Sequence, residues 1–129
     1  MVNQANIAIR NKTRGTIPRL PFADIARDVL GASYELSVAF VTPSEAARLA
    51  RTYKGKDYEP NVLSFRLSKT SGELVISPAV ARRQAKDFDT DYGGMLAKLF
   101  IHGSLHLKGL THGSTMESTE RRVMRKYGF

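Results

Sequence analysis

All three histidines of the chain, His102, His106 and His112, fall within eleven consecutive residues, and their spacing is that of a metal chelate. Residues four apart on a helix are separated by about one turn, so the imidazoles of His102 and His106 project from one face and reach a single ion. Gly109 is placed to end that helix and turn the chain, which brings His112 back as a third ligand. Neutral imidazole suits zinc, nickel, copper or ferrous iron, whereas magnesium and calcium take oxygen ligands. Three protein ligands leave a coordination position for water, as catalytic zinc does and structural zinc does not, so hydrolysis is the predicted chemistry. The expected cofactor is one zinc ion per chain, or another divalent transition metal.

The bland alternative is that His102 and His106 merely continue the helical stripe begun by Met95 and Leu99, as half-buried rings satisfied by nearby polar groups. The confinement of every histidine to one short segment at ligand spacing weighs against it. The zinc-protease helix carries Glu beside its first histidine as general base, but Gly103 stands there, which disfavours peptide hydrolysis by that route. With three histidines committed to metal, none is left for metal-free acid–base catalysis, so the ion or a non-histidine group must move protons.

A length of 129 residues supplies one shared core but not two, so residues 1–129 are read as a single domain. A chain that is 42% hydrophobic and 25% charged has the balance of a soluble globular protein and not of a disordered or membrane-spanning one. Twenty Lys and Arg against twelve Asp and Glu give +8, a field that concentrates polyanions such as RNA. The lack of cysteine excludes disulfides, thiolate catalysis and Cys-containing zinc sites. No stretch approaches the roughly 18 apolar residues of a membrane span, and Met1 to Arg10 lacks the apolar core of a secretory leader. A cytoplasmic location without membrane partners is expected.

The elements that must position the histidines follow from periodicity. Alternating Ile7 and Ile9 predict a strand over Ala5 to Arg10. Phe22, Ile25, Ala26 and Val29 recur at helical spacing ahead of Gly31. Leu36, Val38, Phe40 and Val41 make a second strand, stopped by Thr42-Pro43-Ser44-Glu45, a capping box that opens a helix running towards Tyr53. Val62 to Leu67 and Glu73 to Ser77 read as antiparallel strands connected through Lys69-Thr70-Ser71-Gly72. Pro78 opens a helix carrying Val80, Ala81 and Ala85. The polar Asp87 to Asp91 stretch, with Gly93 and Gly94, then separates it from the most apolar helix, which bears His102 and His106. Ser114-Thr115-Met116-Glu117 is a second capping box, starting a helix that continues to Lys126. The predicted fold is α/β (α+β): a small mixed sheet of about four strands packed with about five helices, the metal-binding helix central.

The segment His102-Gly103-Ser104-Leu105-His106-Leu107-Lys108-Gly109-Leu110-Thr111-His112 resembles the signature of the YbeY metalloendoribonuclease family, His-Gly-x-Leu-His-Leu-x-Gly-Tyr-Asp-His, departing at Leu110 and Thr111. The likeness continues through Tyr53-Lys54-Gly55-Lys56-Asp57, Asn61-Val62-Leu63-Ser64-Phe65 and Gly72-Glu73-Leu74-Val75-Ile76-Ser77, and covers most of residues 50 to 125. The resemblance implies a zinc-associated, single-strand-selective endoribonuclease in rRNA maturation and ribosome quality control, with metal ligands on His102, His106 and His112. It implies small-subunit rRNA as partner, together with ribosomal or assembly-factor proteins.

That family usually carries Arg where this chain has Lys54, and often Pro where it has Arg66. Lysine keeps the charge but loses the bidentate fork, so Lys54 and Arg66 are the candidate catalytic cations, Arg66 compensating by reaching the cleft from its strand, with a solvated edge-strand arginine as its plain alternative. Thr111 replaces an Asp and can hydrogen-bond an imidazole but cannot act as a base. These departures keep two rivals open: a non-catalytic ribosome-assembly module with a retained metal, and a metal-dependent hydrolase of another substrate. Arg48, Arg51, Lys54 and Lys56, or Arg121, Arg122, Arg125 and Lys126, are placed to track a phosphate backbone, and each group reads equally as an ordinary solvated face. Tyr53, Tyr58 and Tyr92 are the candidates for base stacking.

Overall fold

The computed structural model describes residues 6–129; Ala5, expected to begin the first strand, and residues 1–4 of the segment read for a leader lie outside the described residues. Four strands, β1 (Asn6–Asn11), β2 (Glu35–Phe40), β3 (Val62–Ser68) and β4 (Ser71–Ile76), form one sheet in the order β1-β2-β4-β3. Five helices accompany them: α1 (Phe22–Leu30), α2 (Pro43–Lys54), α3 (Pro78–Gln84), α4 (Tyr92–Lys108) and α5 (Ser114–Lys126). β1 runs parallel to β2 and β2 parallel to β4, while β3 returns antiparallel to β4, so the sheet is mixed as the sequence predicts.

Alternation along the strands sorts their side chains onto two faces. Leu36, Val38, Phe40, Leu74 and Ile76 face the main core, with Phe22, Ile25, Ala26 and Val29 of α1, Ala81 of α3, and Met116 and Val123 of α5. Ala39, Leu63, Phe65 and Val75 point the other way, onto Ala46 and Ala50 of α2. α4 lies in the middle of the larger layer, with Leu96, Phe100 and Ile101 wholly buried and the Phe100 ring edge-on to Phe22 at 4.9 Å between centroids. Each such side chain contributes roughly 1.5–3 kcal/mol on burial, which makes α4 the axis of the fold.

Local readings fail where a neighbour overrides them. Gly72 read as part of a turn, yet β4 begins at Ser71, and the tight connection is Lys69-Thr70. Glycine is needed there because a Cβ would stand 2.5 Å from the Tyr34 hydroxyl and 2.9 Å from Leu107 Cδ2. Gly93 and Gly94 lie inside the first turn of α4, not before it, and Asp91 caps that turn by accepting from Gly94 N–H at 2.7 Å. A Cβ on Gly94 would overlap the Thr90 hydroxyl. Part of the expected Asp87 to Asp91 separator is a 3-10 turn, Ala85–Phe88.

Both expected capping boxes are incomplete. Thr42 accepts from Glu45 N–H at 3.3 Å, but the Glu45 carboxylate turns to Arg48 at 2.7 Å. At the start of α5, Gly113 is the cap and Ser114 is already helical, with no side-chain cap bond.

The far end of α5 is clamped to α1. Asp28 accepts from Lys126 Nζ at 2.6 Å and from the Tyr127 hydroxyl. These bonds, Lys126 foremost, hold the Asp28 carboxyl below its ordinary value, while burial and then Asp28 push the Tyr127 hydroxyl up to about 12. A depressed carboxylate contributes stability above its unfolded pKa and loses it as pH falls through the folded value. Asp28→Asn should therefore lower the melting temperature at pH 7 by a few degrees, about 1 kcal/mol for so exposed a pair. Thermal melts should show that difference shrinking below the ordinary carboxylate value of 3.8.

Candidate metal centre and its cleft

Met95, Leu99, His102 and His106 form one stripe along α4 that passes from core to cleft: the first two are buried and the histidines half-buried. His102 Nε2 lies 3.2 Å from His106 Nε2. Gly109, at φ 109°, ends the helix, Leu110 N–H bonds back to Leu105 O at 3.0 Å, and the turned chain presents His112. One nitrogen from each of the three rings lies within 4.8 Å of the other two.

Outer partners fix the tautomers. His106 Nδ1 is 3.1 Å from Leu110 O, and a carbonyl only accepts, so Nδ1 carries the proton. His102 Nδ1 is 2.9 Å from Glu120 Oε1, which assigns its proton in the same way. Both Nε2 lone pairs then face each other with no proton to share. Nitrogens bound to one four-coordinate ion at about 2.0–2.1 Å stand roughly 3.3 Å apart, so this donor set fits a divalent metal. Burial, and then the neighbouring His102 ring, lower the His106 pKa and favour the neutral imidazole that a metal requires.

Glu120 escaped the sequence reading. It is only 8% exposed on α5, and Lys98 Nζ lies 3.2 Å from its second oxygen. Burial raises its pKa, but the bonds from His102 and Lys98 outweigh this and leave it below the usual carboxylate value. The available signal was a carboxylate interrupting the stripe Met116-Glu120-Val123, all three of which are buried. It supplies a carboxylate to the histidines from a different element than Thr111, which is exposed.

The histidines open into a cleft of about 690 Å³ whose lining carries Lys54, Lys56, Arg66 and Lys98 against Glu117 and Glu120. Lys54 Nζ donates to Ser64 O at 2.9 Å, and Ser64 Oγ donates to Gly103 O at 3.0 Å, so α2, β3 and α4 meet beside the first histidine. Lys54 and Arg66 thus share one cleft with His102, His106 and His112. The remaining basic residues do not converge on it: Arg48 pairs with Glu45, Lys126 with Asp28, and Arg121, Arg122 and Arg125 lie on α5 outside the lining. Of the three tyrosines, Tyr58 lines the cleft. Tyr53 packs edge-on to Phe65 at 6.0 Å, and Tyr92 lies under Arg82 and donates to Thr16 O.

Gly103 faces the sheet. A Cβ there would stand 2.8 Å from Leu74 Cδ2, 3.1 Å from Val62 Cγ2 and 3.2 Å from Ser64 Oγ. The position that bears Glu in the zinc-protease helix has no space for a side chain here, which removes that route to peptide hydrolysis.

The family model described as Endoribonuclease YbeY matches residues 5–128. A protein named Endoribonuclease YbeY from Paraburkholderia phymatum is 33% identical over 126 residues, covering 90% of this chain and 82% of that one. A relative of the same name from Alkaliphilus metalliredigens is 33% identical over 134 residues, covering 95% and 84%. A solution structure of a Thermotoga maritima protein shares the fold at TM-score 0.67 and 20% identity, covering 94% of this chain and 88% of that one.

Removing a carboxylate that orients a metal-binding imidazole typically weakens metal binding about 10–100-fold. Glu120→Gln should show a loss of that size in a competition titration against a chromophoric chelator. An unchanged affinity would mean that Glu120 does not hold His102 for the ion.

Proposed function

This chain belongs to the YbeY endoribonuclease family, and from that premise we propose that it is a zinc-dependent, single-strand-specific endoribonuclease, residues 1–129 acting as one catalytic domain. The observation that carries the reading is the convergence of three histidine nitrogens within 4.8 Å in a cleft whose lining also carries Lys54, Lys56, Arg66 and Lys98.

His102, His106 and His112 are the residues that hold the ion, which when bound supplies Lewis acidity towards a phosphoryl oxygen and acidifies water. Three nitrogen donors with no thiolate suit zinc. Glu120 and the Leu110 carbonyl keep His102 and His106 turned with Nε2 towards each other. Lys54, from the end of α2, and Arg66, from β3, bind the non-bridging phosphate oxygens, Arg66 through its bidentate fork, and counter the charge that grows there. Since both nitrogens of His102 and His106 are engaged, proton transfer falls to groups other than these rings.

The family resemblance supports single-strand selectivity, small-subunit rRNA as the substrate, contact with ribosomal or assembly-factor proteins, and a cytoplasmic setting in rRNA maturation and quality control. A net charge of +8 favours such a polyanionic partner. Among the described residues no helix is long and apolar enough to cross a membrane.

Elemental analysis should find about one zinc per chain in the wild type and none in His102→Ala or His106→Ala. The wild type should cut a single-stranded rRNA fragment, and a chelator or His106→Ala should abolish the cut. Cleavage that survives both treatments rules out metal catalysis. Zinc and rRNA binding without cleavage would identify an assembly module, and zinc without rRNA binding a hydrolase of another substrate.

Arg66→Ala tests the phosphate role separately. It should weaken single-stranded RNA binding and flatten the slope of log affinity against log salt by about 0.7, the share of one phosphate contact. Unchanged binding and cleavage would take Arg66 out of the site.

A further inference from the structure

Phe88 leaves 52% of its surface exposed and Tyr58 leaves 48%, and both rings line the cleft that holds the histidines. They come from separate parts of the chain. Tyr58 lies between α2 and β3, and Phe88 ends the 3-10 turn ahead of α4, where Asp89 takes a left-handed φ of 54°. Each ring thus forgoes about half of the burial that a core position would give it.

Phe88 is tied to the metal centre by a short chain of contacts. Lys98 Nζ lies 5.4 Å from its ring centroid and 3.2 Å from Glu120 Oε2, and Glu120 Oε1 lies 2.9 Å from His102 Nδ1. Ring, ammonium, carboxylate and metal-binding imidazole therefore follow one another along one wall. Lys54, Lys56 and Arg66 belong to the same lining. Exposed aromatic faces beside a basic track are what unpaired bases recognise, because each base stacks on a ring while its phosphates follow the cations. Bases inside a duplex have both faces covered by their neighbours and cannot use such rings.

We propose that Phe88 and Tyr58 form a base-stacking platform on the rim of the metal cleft, which holds unpaired bases of an RNA strand whose phosphates follow Lys54, Lys56 and Arg66. The platform rests on the reading of this cleft as an RNA site and adds to it the part that discriminates single strands from duplex. Stacking is separable from the phosphate contacts, since those set the salt dependence of binding while stacking depends on the presence of a base.

The test compares the zinc-loaded full chain with its Phe88→Ala/Tyr58→Ala variant on two labelled strands of equal length. One is an oligouridylate and the other an abasic sugar-phosphate strand, and both are followed by stopped-flow anisotropy before turnover. The variant should bind oligouridylate about tenfold or more weakly, as alanine substitution of stacking residues does. Its zinc content, its affinity for the abasic strand and its salt slope should match the wild type, and Phe88→Trp should bind oligouridylate like the wild type. Oligouridylate binding unchanged in the double variant overturns the platform and leaves the RNA reading standing. An equal loss on both strands, or an altered salt slope, also overturns it, since the cleft as a whole would then have been disturbed. A wild type that binds neither strand removes the RNA reading and the platform together.

Discussion

Gly103 allows α4 to lie directly against β3 and β4, and most of the site depends on that closeness. Leu74, Val62 and Ser64 occupy the space a side chain would take. Because the helix is pressed to the sheet at Gly103, the adjoining His102 sits where α4, β3 and α5 meet. Ser64 is then near enough to bond Gly103 O, and Lys54 to bond Ser64 O. One missing Cβ thus brings the cations of α2 and β3 within the same cleft as the histidine face of α4. A larger residue would force helix and sheet apart, and the cost of such overpacking, typically 1–3 kcal/mol, would fall on the region that must be held most firmly.

A second constraint is electrostatic. Two imidazoles whose nitrogens stand 3.2 Å apart need their outward protons accepted elsewhere, or their rings would turn away. The acceptors differ in kind. His106 uses the carbonyl of Leu110, supplied by the same turn that ends α4, so its orientation is built into the local chain. His102 uses Glu120 from α5, whose charge Lys98 balances. α5 in turn is fixed by Met116 and Val123 in the core and by the Asp28 clamp at its far end. His106 also occupies the last turn of α4, where the helix dipole favours a cation.

The departures from the family signature have physical meaning in this setting. At position 110 the backbone carbonyl orients His106 while the Leu side chain packs against the core, so the orientation of this ring does not depend on side-chain type there. Thr111 is exposed, and the buried carboxylate beside the histidines belongs to Glu120. Lys54 is anchored by Ser64 O and lies 4.9 Å from the Phe65 ring centroid, which gives a flexible ammonium a defined place. Arg66 adds a planar cation to the same lining from the strand.

The sequence by itself determined what depends on neighbours along the chain. A spacing of four puts His102 and His106 on one face, Gly109 turns the chain, and apolar periodicity marks the helices and strands, all within a turn or two of backbone. Tertiary structure alone decided what depends on residues far apart. Gly72 read as a breaker of regular structure, yet it is glycine because the side chains of Tyr34 and Leu107 fill the space beside it. The sheet order, with β4 between β2 and β3, pairs β2 with a strand that lies beyond both α2 and β3 in the chain. Glu120 reaches His102 across 18 residues, and Tyr58 and Phe88, 30 positions apart, line the same cleft. Periodicity reports which face a residue takes on its own element, whereas a carboxylate's partner or a ring's exposure is set by what the other elements leave beside it.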